Sequence, residues 1–207
     1  MKSRLKLIGK IPESFYSVLS HMTEIHDDYL HGHSQHVSNL AVALGKRIGL
    51  PKAQLRFLCA GALIHDIGKL GIPDSVINKP SSLTRAEREM IERHPIMGYE
   101  LISPVVHERE VLEILLHHHE NWDGTGYPDK LRDGQIPLGA RIVRIADTFD
   151  AMTAQRPYRP AFTAIQALAE MQEDKSYYDA RLLGEFDRMI RERNHARTTI
   201  ARKGKRS

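Results

Sequence analysis

Residues 55–69 read LRFLCAGALIHDIGK, and the period of this stretch decides the fold class. Leu55, Leu58 and Ala62 recur at helical spacing, and His65 and Asp66 continue the same stripe inward. The rest of the chain repeats the period. Val37, Leu40, Ala41, Leu44 and Ile48 stand at i, i+3, i+4, i+7 and i+11. Thr84 and Glu87 form a capping box that opens a helix through Met90 and Ile91. Val111, Ile114 and Leu115 line a helix running into His117; Ile142, Val143 and Ala146 line the next. Thr163 caps a helix with Ile165, Leu168 and Met171, and Leu182, Leu183, Phe186, Met189 and Ile190 stripe the last. Phe15, Val18, Leu19 and Met22 give an N-terminal helix. Alternating Val/Ile/Thr runs and Asn-Gly hairpins are missing, so the expectation is an all-α helical bundle. Two irregular stretches, 68–82 and 119–137, are rich in Gly and Pro, and loops of this length are often functional.

Composition bounds the rest. The 207 residues are 41% hydrophobic and 27% charged, which fits one soluble globular domain. The longest apolar run, Leu58 to Ile64, is too short to span a bilayer, and no signal-peptide core follows Lys2, Arg4 and Lys6. A lone Cys59 excludes an internal disulfide and a cysteine-built zinc site, and makes a reducing cytoplasm the default. The net charge of +4 is uneven. From Arg188 to Ser207 there are eight basic residues and one acidic, leaving 22 basic and 25 acidic in the body. A solvated basic extension is expected there rather than a nucleic-acid or membrane contact.

Twelve histidines are many for this length. His33 precedes Val37 by four residues; His94 follows Met90 and Ile91; His118 follows Ile114 and Leu115; Asp147 follows Val143. Six polar residues, with His65 and Asp66, therefore extend the apolar stripes of five helices, and His119 adjoins one of them. Burying so many imidazoles and carboxylates is costly unless each is paired or binds a metal. Imidazole and carboxylate without thiolate suit iron, manganese, zinc or cobalt. Asp66 and Asp147 are the natural bridges between two ions, and a two-metal site fits phosphoester hydrolysis. Lys69, one turn after Asp66, is placed to stabilise negative charge on a phosphate.

His65-Asp66-Ile67-Gly68-Lys69 resembles the signature of the HD superfamily of metal-dependent phosphohydrolases. His118-His119-Glu120-Asn121-Trp122-Asp123-Gly124-Thr125-Gly126-Tyr127-Pro128 resembles the second signature of its HD-GYP subfamily. The resemblance runs from about Tyr29 to Ala161. It implies metals held inside a helical bundle and hydrolysis of cyclic di-GMP to pGpG and on to GMP. It implies His33, His65, Asp66, His94, His118, His119 and Asp147 as metal ligands. Asp66 and Lys69 are the implied catalytic residues, and Arg156 and Arg159 the implied phosphate contacts. Tyr127 is left open between packing on guanine and anchoring its loop, as is Trp122. The Gly126-Tyr127-Pro128 loop is also implied in docking a diguanylate cyclase (GGDEF) or a sensor or response-regulator protein. Members with three metals place a glutamate where this chain has Tyr29, so two divalent ions, iron or manganese, are expected. The expected organisation is an N-terminal helical segment over 1–28, the catalytic domain over 29–194, and a disordered basic tail over 195–207. Rival expectations are an HD phosphohydrolase for another cyclic dinucleotide or nucleotide, and a non-catalytic sensor of cyclic di-GMP.

Overall fold

The computed structural model describes residues 11–26, 32–155 and 160–204. Among these residues the secondary structure is helical throughout, without a strand. Ten α-helices follow in order: α1 Glu13–His26, α2 His33–Arg47, α3 Lys52–Ile64, α4 Asp74–Ile77, α5 Arg85–Ile91, α6 His94–Ile102, α7 Arg109–His117, α8 Leu138–Thr153, α9 Ala164–Glu173 and α10 Ala180–Gly204. A 3-10 turn, Ile67–Gly71, links α3 to α4.

The organising element is α3, whose two faces serve two cores. Leu58 and Ala62 join a cluster with Val37, Ala41 and Leu44 of α2, with α8, and with Leu168 and Phe186. Ala60, Leu63 and Ile64 join a second cluster with Tyr16 of α1, Ile102 of α6 and Val111 and Leu115 of α7. A helix apolar on both sides belongs between two layers, and full burial of each large aliphatic there contributes roughly 1.5–3 kcal/mol. His65 and Asp66 leave the end of α3 between these two cores. Gly68 lets α6 come close: a Cβ there would collide with the His94 carbonyl and the Gly98 nitrogen.

Three expectations change. The stripe beginning at Thr84 does not run on into His94, because α5 stops at Ile91 and α6 starts at His94. Pro95 is the reason: it lacks an N–H and its ring would strike the carbonyl four residues back. Val18 and Met22, read with Phe15 and Leu19 as the apolar pattern of this helix, are 60% and 50% exposed, while Tyr16, Ser20 and Thr23 form the buried face of α1. The last helix does not stop near Asn194 but runs to Gly204, through residues 195–203, which contain neither Gly nor Pro.

Candidate metal centre

A helix leaves its last carbonyls without backbone partners. In this fold three of them are taken by histidine rings three residues downstream. Nδ1 of His65 donates to the Ala62 carbonyl at the end of α3 (2.8 Å), and Nδ1 of His94 to Ile91 at the end of α5 (2.8 Å). Nδ1 of His118 donates to Leu115 at the end of α7 (2.9 Å). Pro95 cannot bond the Ile91 carbonyl and so leaves it to His94. A carbonyl only accepts, so each neutral ring carries its proton on Nδ1 and turns the Nε2 lone pair inward. Metal-binding histidines are commonly oriented by this kind of contact.

His33, the first residue of α2, is fixed differently. Its Nδ1 lies 2.7 Å from Asp150 Oδ2 and its Nε2 3.2 Å from Asp147 Oδ1, both on α8. Asp66 sits between two groups whose ligand atoms converge: His94, His118 and His119 on one side, His33 and His65 on the other. Its Oδ1 is 3.2 Å from His94 Nε2, and its Oδ2 is 3.6 Å from His65 Nε2 and 2.7 Å from Lys69 Nζ. Asp147 Oδ1 also lies 3.9 Å from His65 Nε2.

The donor chemistry fits a cation. His94 Nε2 and His118 Nε2 are 3.1 Å apart with both protons committed elsewhere, so two lone pairs face each other. Asp66 adds a carboxylate oxygen to the same spot, and the buried His65 Nε2 has no hydrogen-bond partner. With bonds of about 2.0–2.2 Å to one ion, neighbouring ligands stand roughly 3.0–3.5 Å apart, the spacing found here. Lys69 and His33 donate to the carboxylates, and the remaining inward Nε2 atoms form a buried set of acceptors suited to a positive ion.

The electrostatics follow the same logic. Burial holds the His65, His118 and His119 rings below the ordinary imidazole value, so they stay neutral and able to bind. Burial also opposes charge on His33, but its hydrogen bonds to Asp147 and Asp150 outweigh it and push that ring up to about 10. Burial would raise Asp66 and Asp147. For Asp66 the Lys69 ammonium wins, and for Asp147 the His33 hydrogen bond wins, so both carboxyls lie below their usual range.

The signature loop closes over His119. Tyr127 stacks on this ring, with centroids 4.8 Å apart and 26° between planes. Trp122 is an anchor: its backbone N–H donates to the Tyr177 carbonyl, and the Arg141 guanidinium lies 5.4 Å from its ring centre. Asn121 Oδ1 accepts from Arg144 Nε and Nη2 at 3.1 and 2.9 Å. Buried Glu120 accepts the Asp129 N–H at 2.7 Å.

All seven residues expected at the metal site thus converge, with Lys69 and Tyr127 at its edge. Arg156, Arg159 and Tyr29 lie outside the described residues. Asp150 and Glu120 were missed as site-shaping residues. Asp150 is three residues after Asp147 on one helix face, a spacing that signals it. His117 turns away to Asp129, as its place in the sequence predicts. His36 is largely exposed, 3.6 Å from Asp150.

Fold and site together define a class: an all-helical domain with a buried histidine–aspartate centre suited to metal ions. The HD domain family matches residues 17–182, and the chain belongs to it. A cyclic di-GMP phosphodiesterase of Pseudomonas aeruginosa is 36% identical over 165 residues, 79% of this chain and 40% of that protein. The cyclic di-GMP phosphodiesterase response regulator RpfG of Xanthomonas campestris is 41% identical over 157 residues, 74% of this chain and 41% of that protein. The chain therefore spans about two fifths of the length of these curated relatives. Among solved structures, a cyclic GMP-AMP specific phosphodiesterase of Vibrio cholerae shares the fold, with a TM-score of 0.68 at 18% identity. The match covers 86% of this chain and 48% of that one. Among the described residues no helix is long and apolar enough to cross a membrane.

Proposed function

We propose that this domain is a metal-dependent phosphodiesterase that opens cyclic di-GMP to linear pGpG, acting in the cytoplasm. The observation that carries the reading is the inward convergence of imidazole Nε2 atoms on Asp66, a donor set suited to divalent cations. The activity of the curated relatives supports the choice of substrate.

His94, His118 and His119 would hold one ion and His33, His65 and Asp147 another, with Asp66 within reach of both groups. Two divalent ions, iron or manganese, supply a nucleophilic water at neutral pH and Lewis acidity toward phosphoryl oxygens. The protein does the rest. The Nδ1 contacts fix the rings, and Asp150 holds His33 in register. Water attacks phosphorus opposite the ribose 3′ oxygen, a new P–O bond forms as the P–O3′ bond breaks, and the proton lost by the water balances the one gained by the departing 3′ oxygen. Lys69, already beside Asp66, takes up charge growing on the phosphoryl oxygens. Arg156 and Arg159 hold the second phosphate, and Tyr127 offers a flat wall to guanine. The exposed tip of the signature loop is the surface for a GGDEF protein or a sensor or response-regulator partner.

The test is anaerobic turnover of cyclic di-GMP by Fe(II)- or Mn(II)-loaded protein beside His65→Ala, with metal counted in both. Hydrolysis lost in the variant, with close to two ions per wild-type chain, is the expected result. Metal-replete wild type that binds cyclic di-GMP without cleaving it is a sensor instead. Cleavage of another cyclic dinucleotide in preference moves the substrate assignment.

A further inference from the structure

Arg144 lies on α8 one turn before Asp147, and its guanidinium reaches the signature loop. Arg141, three residues earlier on the same helix, meets the Asp179 carboxylate. Arg144 instead gives Nε and one Nη2 proton to the neutral amide oxygen of Asn121, so its hydrogen-bonded partner leaves the positive charge uncompensated. This contact orients the fork and leaves the two Nη1 protons and the outer Nη2 proton directed away from Asn121. The charge is felt by His119 and by Tyr127, the residues on the loop side of the metal centre. A half-buried, oriented guanidinium beside a histidine–aspartate cluster suited to cations is placed for a small anion that bridges both.

Resting on the phosphodiesterase reading, we infer that Arg144 is a substrate-binding residue whose outer guanidinium edge takes a non-bridging oxygen of the phosphodiester at the metal centre. Asn121 is the positioning residue that aims it. The chemistry recognised is the phosphodiester anion itself and not a base. The contact is therefore made to any diester that reaches the centre, including one without a nucleoside.

Bis(p-nitrophenyl) phosphate is such a probe. With Mn(II)-loaded protein, Arg144→Ala is expected to raise KM for this diester about 10- to 100-fold, the range for losing a charge-assisted hydrogen bond. The turnover number and metal content stay within about threefold, because the contact is made in ground and transition states alike. Arg144→Lys recovers part of the loss by keeping charge without the fork. Asn121→Ala, which keeps the guanidinium, costs less than Arg144→Ala. An unchanged KM in Arg144→Ala overturns the inference. So does a loss equal to that of Asn121→Ala, which makes Arg144 a loop fastener, or a fall in kcat together with metal content, which makes it a support of His119. The probe is not cyclic di-GMP, so failure of the substrate assignment shows separately, as wild type that cleaves the diester but not cyclic di-GMP.

Discussion

His94 and His118 face each other through Nε2 atoms 3.1 Å apart, each with its Nδ1 proton given to a helix-terminal carbonyl. Two ring nitrogens at this distance, with Asp66 beside them, suit one shared cation, which would bind the folded chain and not the unfolded one. Divalent metal should therefore raise thermal stability. At 100 times Kd the gain is about 2.7 kcal/mol, or roughly 5–10 °C for a chain of this size. His94→Ala removes one ligand, so its metal-dependent rise should shrink sharply from whatever metal-free melting point it has. Differential scanning fluorimetry with and without Mn(II) reads both, and an undiminished rise in the variant sinks the idea.

Asp150 is expected to act on the metal through His33. Its carboxylate fixes the ring by the 2.7 Å contact to Nδ1. Partners that orient a metal-binding imidazole are typically worth about 10- to 100-fold in metal affinity. Asp150→Ala should weaken one of the two ions by that factor and leave the other nearly unaffected. A metal titration that resolves two steps checks this, and two unchanged affinities would show that Asp150 serves only packing.

The buried rings set the pH response of the metal-free protein. His65, His118 and His119 lie below the ordinary value of 6.5 when folded, so below that pH the unfolded chain binds protons that the folded chain refuses. Each contributes stability that is present above 6.5 and lost as pH falls toward its folded value, by at most about 1.4 kcal/mol per pH unit. His33 has the opposite sign. Pushed up to about 10, it adds stability that is full below 6.5 and fades as pH rises through 10. Urea midpoints should therefore drop between pH 6.5 and 5. Replacing His118 with the uncharged Asn should flatten that slope, and an equally steep slope would assign the acid response to other groups.

The apolar stripes made the helices legible, and six of the seven residues of the histidine–aspartate cluster were legible as polar interruptions of those stripes. Other features need three dimensions. On α1, periodicity marks both Leu19 and the line of Val18, Met22 and Ile25, and only packing against α3 decides which is covered. His94 looked like the continuation of α5, yet Pro95 makes it the start of α6, which still brings the ring inward. Asp150 passed as one more residue of α8 because its partner, His33, is 117 positions away. The rule that ties these histidines together, a ring capping the carbonyl three residues back, depends on where each helix ends, and that is the least certain part of a periodicity reading.

Glu120 provides the last expectation. Its Oε1 accepts the Asp129 N–H, its Oε2 is buried without a partner, and the Gly126 backbone packs against its Cα so closely that a Cβ would not fit. The signature loop thus folds back around one buried carboxyl, whose proton affinity burial raises. Glu120→Gln keeps an oxygen to accept the Asp129 N–H and removes a poorly solvated acid, so stability should hold or rise slightly. Glu120→Ala leaves that N–H unanswered and opens a void, at a cost of about 1–3 kcal/mol. The cost should be local, appearing as faster proteolysis between residues 119 and 137 and as displacement of Tyr127 from His119. Chemical denaturation with limited proteolysis compares the two variants. If the alanine variant is as stable and as resistant as wild type, the loop is held by Trp122 and Asn121 alone.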